Sequence, residues 1–118
     1  MNVTVGQLVD WIIEHRRGKA FLNYDKELIQ REICDAIKNG VFAYKEIHGE
    51  IYGVVCGVKD VNSRMVHIYD ILCVKAGVLN NFMDLFISKY PGWILTGMRR
   101  DKFMIYDTNK LSKKLTKR

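Results

Sequence analysis

The sequence predicts an α+β fold with the element order ααβββαββ. Apolar residues recur at helical spacing in three segments, and the remaining segments show the shorter apolar runs of strands, separated by turn residues. With 48% hydrophobic residues and a single proline in 118, the chain has the apolar content of a packed domain. We therefore expect a single domain over residues 1–118, ending in a basic segment at about 99–118.

Two amphipathic helices are predicted at the N-terminal end. Thr4, with Gln7 three residues later, matches a capping box and starts a helix that continues to Gly18. Asp25 can cap a second helix, which ends at Asn39-Gly40. The residues expected on the buried faces are Val5, Leu8, Val9 and Ile12 in the first helix, and Leu28, Ile29, Ile33, Ala36 and Ile37 in the second.

An antiparallel meander of three strands should follow. Its strands are predicted at Val41–Ile47, Glu50–Val58 and Met65–Val74. His48-Gly49 forms the tight turn between the first two. Gly53 and Gly57 lie inside the second strand and indicate a bulge or a place where another backbone comes close.

A third helix and two more strands complete the predicted order. The helix ends at Pro91-Gly92, and a short basic helix opens at Thr108 after the last strand. The apolar stripe of the third helix comprises Leu79, Phe82, Met83, Phe86 and Tyr90. The two strands are predicted at Trp93–Met98 and Lys102–Tyr106.

The cysteines are odd in number and widely spaced, which matches neither a disulfide framework nor a CxxC metal site. Each lies in an apolar segment, so we interpret all three as reduced, buried thiols. They are Cys34, Cys56 and Cys73. The histidines (His15, His48 and His67) share no ligand spacing, so no metal site is predicted.

The sequence also lacks the signals of export or membrane insertion. The longest uncharged apolar stretch, Ile51 to Val58, is far shorter than the ~18 residues that a membrane span needs. The N-terminal residues show neither the basic start nor the cleavage site of a secretory signal. We therefore expect a cytoplasmic protein.

Positive charge is concentrated at the C-terminal end. Residues 99–118 carry eight basic and two acidic side chains, a balance of +6 that equals the net charge of the whole chain. The basic residues are Arg99, Arg100, Lys102, Lys110, Lys113, Lys114, Lys117 and Arg118. Such a segment attracts nucleic acid or an acidic protein surface. The alternative is a solvated tail that maintains solubility.

The element order resembles that of the GNAT acyltransferase fold over about Val41–Met98. In that family the strand before the third helix ends in a pattern like Leu-x-Val, and Leu72-Cys73-Val74 stands at the matching place. Small GNAT-like proteins of this kind are found in tailed phages, some as virion components. The resemblance thus implies a GNAT-like fold and, for a phage protein, a place in the host cytoplasm or the virion.

The cofactor loop of the GNAT family is altered here. The family holds the coenzyme A pyrophosphate on an Arg/Gln-x-x-Gly-x-Gly/Ala loop at a helix N-terminus. The segment Lys75–Asn80 is shorter and has one glycine, and Val78 and Leu79 would crowd an approaching phosphate. We therefore expect no cofactor. If coenzyme A binds, the resemblance assigns it to Cys73, Val74, Lys75 and Gly77.

No catalytic residue is singled out. An acyltransferase of this fold needs a general base near the amine and often a tyrosine that protonates the leaving thiolate. The candidates near the expected cleft are Tyr69, Tyr106, Glu46, Glu50 and Asp70. Strand residues of these types more often serve cross-strand packing or solubility.

Two functions remain open. The first is a non-catalytic binding or assembly protein that binds a protein partner in a larger assembly through the basic C-terminal segment. In a phage it would be a virion-associated component. The same segment can also attract nucleic acid. The second is an acyl-CoA-dependent N-acyltransferase that uses acetyl-CoA, held between the ends of strands Met65–Val74 and Trp93–Met98. Plain nucleic-acid binding has weaker support, because only Phe103 and Tyr106 interleave with the basic residues as stacking platforms.

Overall fold

A computed structural model of the chain describes residues 2–16, 20–21, 23–99 and 102–108. Over these residues the fold is α+β, and the elements follow the predicted order. The helices are α1 (Val5–His15), α2 (Lys26–Asn39) and α3 (Val78–Lys89). The strands are β1 (Val41–Ile47), β2 (Glu50–Asp60), β3 (Met65–Cys73), β4 (Ile94–Arg99) and β5 (Lys102–Asp107).

The predicted caps of the first two helices are confirmed. The Thr4 hydroxyl accepts the Gln7 backbone N–H at 3.1 Å, and the Gln7 amide oxygen accepts the Thr4 N–H at 2.8 Å. Both bonds satisfy N–H groups that have no partner within the helix. Asp25 accepts the Leu28 N–H at 2.9 Å and so caps α2. Helix α1 ends at His15, three residues before the predicted Gly18.

The five strands form one mixed sheet in the order β1-β2-β3-β4-β5. The first three strands are the predicted antiparallel meander, and its first turn has positive φ at both His48 (52°) and Gly49 (85°). Helix α3 is the crossover between β3 and β4, which are parallel. Strand β5 returns antiparallel to β4.

The sheet separates two hydrophobic clusters. Helices α1 and α2 cover one face of the sheet, and α3 covers the other. Neighbouring residues of β2 divide between the clusters, since Val54 and Cys56 contact the first and Val55 the second. This alternation is the period of two expected for a strand with both faces buried.

The glycines of the second strand mark close approaches, of a backbone at Gly57, as predicted, and of α3 side chains at Gly53. A Cβ on Gly40, just after α2, would lie 2.3 Å from the carbonyl oxygen of Gly57. A Cβ on Gly53 would lie 2.6 Å from the side chain of Val78 in α3. The pairing of β2 with β3 also shifts by one residue between Cys56 and Gly57, which is the predicted bulge. Gly40 itself has φ −126°, so it is needed for space and not for a left-handed turn.

The predicted burial of α2 is wrong at three positions. Leu28 and Ile37 are 44% and 43% exposed, and Cys34 is exposed as well. Only Ile29, Ile33 and Ala36 form the buried stripe. The helix packs on the sheet along one narrow line, so residues about 70–130° to either side of that line remain in solvent.

At the C-terminal end, the buried Thr108 donates a hydrogen bond from its hydroxyl to the carbonyl oxygen of Tyr90 at 3.2 Å. The basic helix predicted to open there falls on residues 109–118, which lie outside the described residues.

Candidate functional site

The loop between β3 and α3 contains the residues assigned to coenzyme A by resemblance. Gly77 occupies the N-cap position of α3 with φ 89°, and no side chain caps the helix there. The Lys75 ammonium lies 4.6 Å from the centroid of the Tyr52 ring, a cation–π contact. Cys73 is partly buried at the end of β3, and Val74 is 45% exposed.

Val78 and Leu79, the two residues expected to crowd a phosphate at this loop, differ in how far their side chains are exposed. Val78 is only 3% exposed and packs in the cluster between α3 and the sheet, so its side chain points away from the solvent in front of the helix. The crowding predicted for Val78 is therefore wrong. Leu79 is 45% exposed and is the bulky side chain on the outer surface of the first turn.

The structure describes only part of the basic segment. Arg99 ends β4 and pairs with Lys102 at the start of β5, so the two residues adjoin the turn between these strands. Their side chains are outside the described part of the structure. The remaining basic candidates, Arg100, Lys110, Lys113, Lys114, Lys117 and Arg118, lie outside the described residues.

Two of the catalytic candidates make local hydrogen bonds. Glu46 accepts the Gly49 N–H at 2.8 Å and thereby stabilises the β1–β2 turn. Glu50 accepts the Tyr52 hydroxyl at 2.7 Å, two residues along the same strand. Tyr106 lies in β5, and its side chain is outside the described part of the structure.

A third candidate, Asp70, belongs to a buried acidic cluster. Its side chain is 7% exposed, and one carboxylate oxygen accepts the Phe21 backbone N–H at 3.0 Å. Glu32 of α2 faces it, and the Oε2 atom of Glu32 is buried with no hydrogen-bond partner among the described residues. Burial raises the pKa of Glu32 to about 9, and the neighbouring Asp70 carboxylate acts in the same direction. The protonated form of Glu32 is therefore favoured in the folded protein.

Other titratable groups surround the acidic cluster. Charge repulsion from Glu32, and then from Asp70, raises the pKa of Tyr24. Burial is the main cause of the raised pKa values of Tyr69 and of the Cys56 thiol. On the α1 side, the guanidinium of Arg16 donates to the carbonyl oxygens of Phe21 and Tyr24 at 2.9 and 2.6 Å, and so holds the segment that faces the cluster.

The cluster lies beside the point at which β3 and β4 part. Their parallel pairing extends from Met65 opposite Ile94 to Ile68 opposite Gly97. Tyr69 is the extra residue of the bulge against β2, and from this residue onward no β4 partner is described. The sequence offers Asp70 as a candidate but not Glu32, because Glu32 is 38 positions away and belongs to no motif.

No group of three or more metal-binding side chains occurs among the described residues. Within the same residues, no helix is long and apolar enough to cross a membrane. Comparisons with protein-family models, curated proteins and solved structures find no match to this chain.

Proposed function

We propose that the protein is a non-catalytic binding or assembly protein with a GNAT-like scaffold, which holds an acidic surface of a protein partner through its basic C-terminal segment. In a tailed phage it would be a virion-associated component. The GNAT-like part of this proposal rests on the element order and on the parallel β3–β4 pair joined by α3.

The uneven use of charge supports binding over catalysis. Four acidic side chains of the sheet make hydrogen bonds that stabilise turns or buried segments, with no exposed constellation among them. They are Glu46, Glu50, Asp60 and Asp70. The excess positive charge lies from the last residue of β4 onward, where residues 99–118 carry +6. A segment of this kind attracts anionic surfaces through space without needing a shaped pocket.

The test replaces Lys110, Lys113, Lys114 and Lys117 with glutamine. Binding to a poly-glutamate peptide and to a short DNA duplex is measured by fluorescence anisotropy over a range of salt concentrations. We expect both affinities to fall and their salt dependence to flatten, since fewer counterions are displaced. The melting temperature should hardly change, because exposed charges contribute little to stability.

The matched control removes the same charge elsewhere. Lys26, Arg31, Lys59 and Arg64 are exposed, and their replacement with glutamine also lowers the net charge by four. We expect this control to bind more tightly than the C-terminal variant. Equal weakening by both variants would mean that only net charge matters. A C-terminal variant that binds normally but melts at a much lower temperature would assign these lysines to the fold.

The second candidate function is acyl-CoA-dependent N-acyl transfer. One observation favours it: the Glu32–Asp70 pair lies next to the place where β3 leaves β4, and the raised pKa of Glu32 is a property of acid–base groups. Against it, Asp70 is buried and bonded to a backbone N–H. Calorimetric titration with acetyl-CoA decides between the two, since micromolar affinity supports the enzyme and weak or absent binding supports the binding protein.

A further inference from the structure

An open groove follows the outer edge of β1. Its volume is about 380 Å³, and its lining comes from the end of α2, from β1 and from the last residue of α3. The lining residues are Ala36, Ile37, Gly40, Phe42, Ala43, Tyr44 and Lys89. None of these residues belongs to the basic segment, and β1 is at the opposite edge of the sheet from β5, so an inference about the groove goes beyond the function proposed above.

The lining shows that the groove lies at the edge of the sheet. Phe42 and Tyr44 pack toward the cluster under α1 and α2, whereas Ala43 packs toward the cluster under α3. Side chains from opposite faces of one strand border a single groove only where that groove runs past the strand's edge. In the strand order β1 is outermost, and no described strand pairs with its outer side.

Only part of this edge has the features that prevent strand addition. Natural edges are commonly protected by lysines and by bulges. Here Lys45 is the lysine of β1, and the shift in the β1–β2 register falls between Lys45 and Glu46, with Tyr52 of β2 as the extra residue. The stretch from Val41 to Tyr44 precedes the shift, pairs regularly with β2 and is the part that the groove follows. This half of the edge therefore presents its backbone in a regular, extended form.

Charge determines which kind of strand fits. Lys89 is the charged residue of the lining. Lys38 and Lys45 adjoin Ile37 and Tyr44, and Asp35 adjoins Ala36, so the balance of charge along the groove is positive. The nearest acidic side chain on β1, Glu46, is hydrogen-bonded to the Gly49 N–H. A second copy of this chain would bring further lysines to the same edge, whereas an acidic strand would meet opposite charge.

We propose that the β1 edge between α2 and Lys89 binds an extended, acidic segment of a protein partner, which adds to the sheet as a sixth strand. Backbone hydrogen bonds to β1 supply affinity, and the apolar groove holds alternate side chains. Acidic side chains of the partner lie near Lys89.

The probe is a fluorescein-labelled peptide of seven residues, Asp-Val-Glu-Val-Asp-Ile-Glu, blocked at both ends. Its control has the same side chains but N-methyl groups on alternate amides, which removes backbone donors. Binding is measured by anisotropy with the full chain. We expect an affinity in the micromolar range for the first peptide and at least about tenfold weaker binding for the second, corresponding to loss of strand pairing.

Two exposed positions test the groove in matched pairs. Ile37→Asp should weaken peptide binding about tenfold or more, whereas Leu28→Asp, which has nearly the same exposure on the same helix, should leave binding unchanged. Lys89→Glu should weaken binding likewise, with Lys59→Glu on the exposed end of β2 as its control. The variant with four C-terminal lysines replaced should bind the peptide normally, which separates this inference from the proposed function.

Three results would overturn the inference. One is no binding of the unmethylated peptide at about 1 mM, the range of very weak association. Another is that the methylated peptide binds as tightly as the unmethylated one, or that Leu28→Asp weakens peptide binding as much as Ile37→Asp does. The third is a dimer of the protein alone, seen by sedimentation, that Ile37→Asp dissociates, because the groove would then join two copies of this chain.

Discussion

The buried Glu32–Asp70 pair predicts an unusual dependence of stability on pH. A glutamic acid has an ordinary pKa of 4.5, and in the folded protein that of Glu32 is about 9. Between these values the folded state binds a proton that the unfolded state releases. The contribution of Glu32 to the free energy of unfolding should therefore be largest below pH 4.5, and it should fall as pH rises toward 9.

The size of the effect follows from the exposure of the side chain. Each pH unit between the two pKa values represents about 1.4 kcal/mol. Because Glu32 is only half-buried, water screens a large part of this difference, and we expect a total loss of about 2–3 kcal/mol. This is a substantial fraction of the stability of a small protein.

The measurement is urea unfolding followed by tryptophan fluorescence at several pH values from 5 to 8.5. Glu32→Gln keeps the shape of the side chain and removes the proton equilibrium, so its stability should decline much less over this range. Glu27→Gln, an exposed position in the first turn of the same helix, should keep the decline of the natural protein. A flat profile for the natural protein, or an equal decline in the Glu32→Gln variant, would refute the reasoning.

Two further predictions concern thiols and glycines. Cys34 is exposed, whereas Cys56 is buried and the pKa of its thiol is raised. A thiol reagent should therefore label Cys34 rapidly and Cys56 only on unfolding. Rapid labelling of all three cysteines, detected by mass spectrometry, would contradict this packing. Gly40→Ala should cost about 2–4 kcal/mol in urea unfolding, because its Cβ would lie 2.3 Å from a backbone oxygen. Gly6→Ala in α1 is the control, because a Cβ there would lie 3.9 Å from the Thr4 hydroxyl oxygen, an ordinary contact, and should not destabilise the protein. Similar losses in both variants would disprove the role of the contact.

The sequence by itself determined the order of the elements, two helix caps and the first hairpin turn. These features depend on residues only a few positions apart, such as Thr4 with Gln7 or His48 with Gly49, so local chemistry is sufficient. The crowded glycines of β2 could also be anticipated, because glycine inside a strand usually has a steric reason.

The tertiary structure alone decided which residues face each other. Glu32 and Asp70 are far apart in sequence and meet because α2 packs over β1 and β2, and Asp70 lies on β3 directly opposite Cys56 of β2. The groove exists because β1 is outermost in the sheet. Likewise, the exposure of Cys34 and Ile37 depends on the line along which α2 contacts the sheet. Periodicity indicates that a helix has an apolar side, but the width of its buried stripe depends on the surface that it packs against.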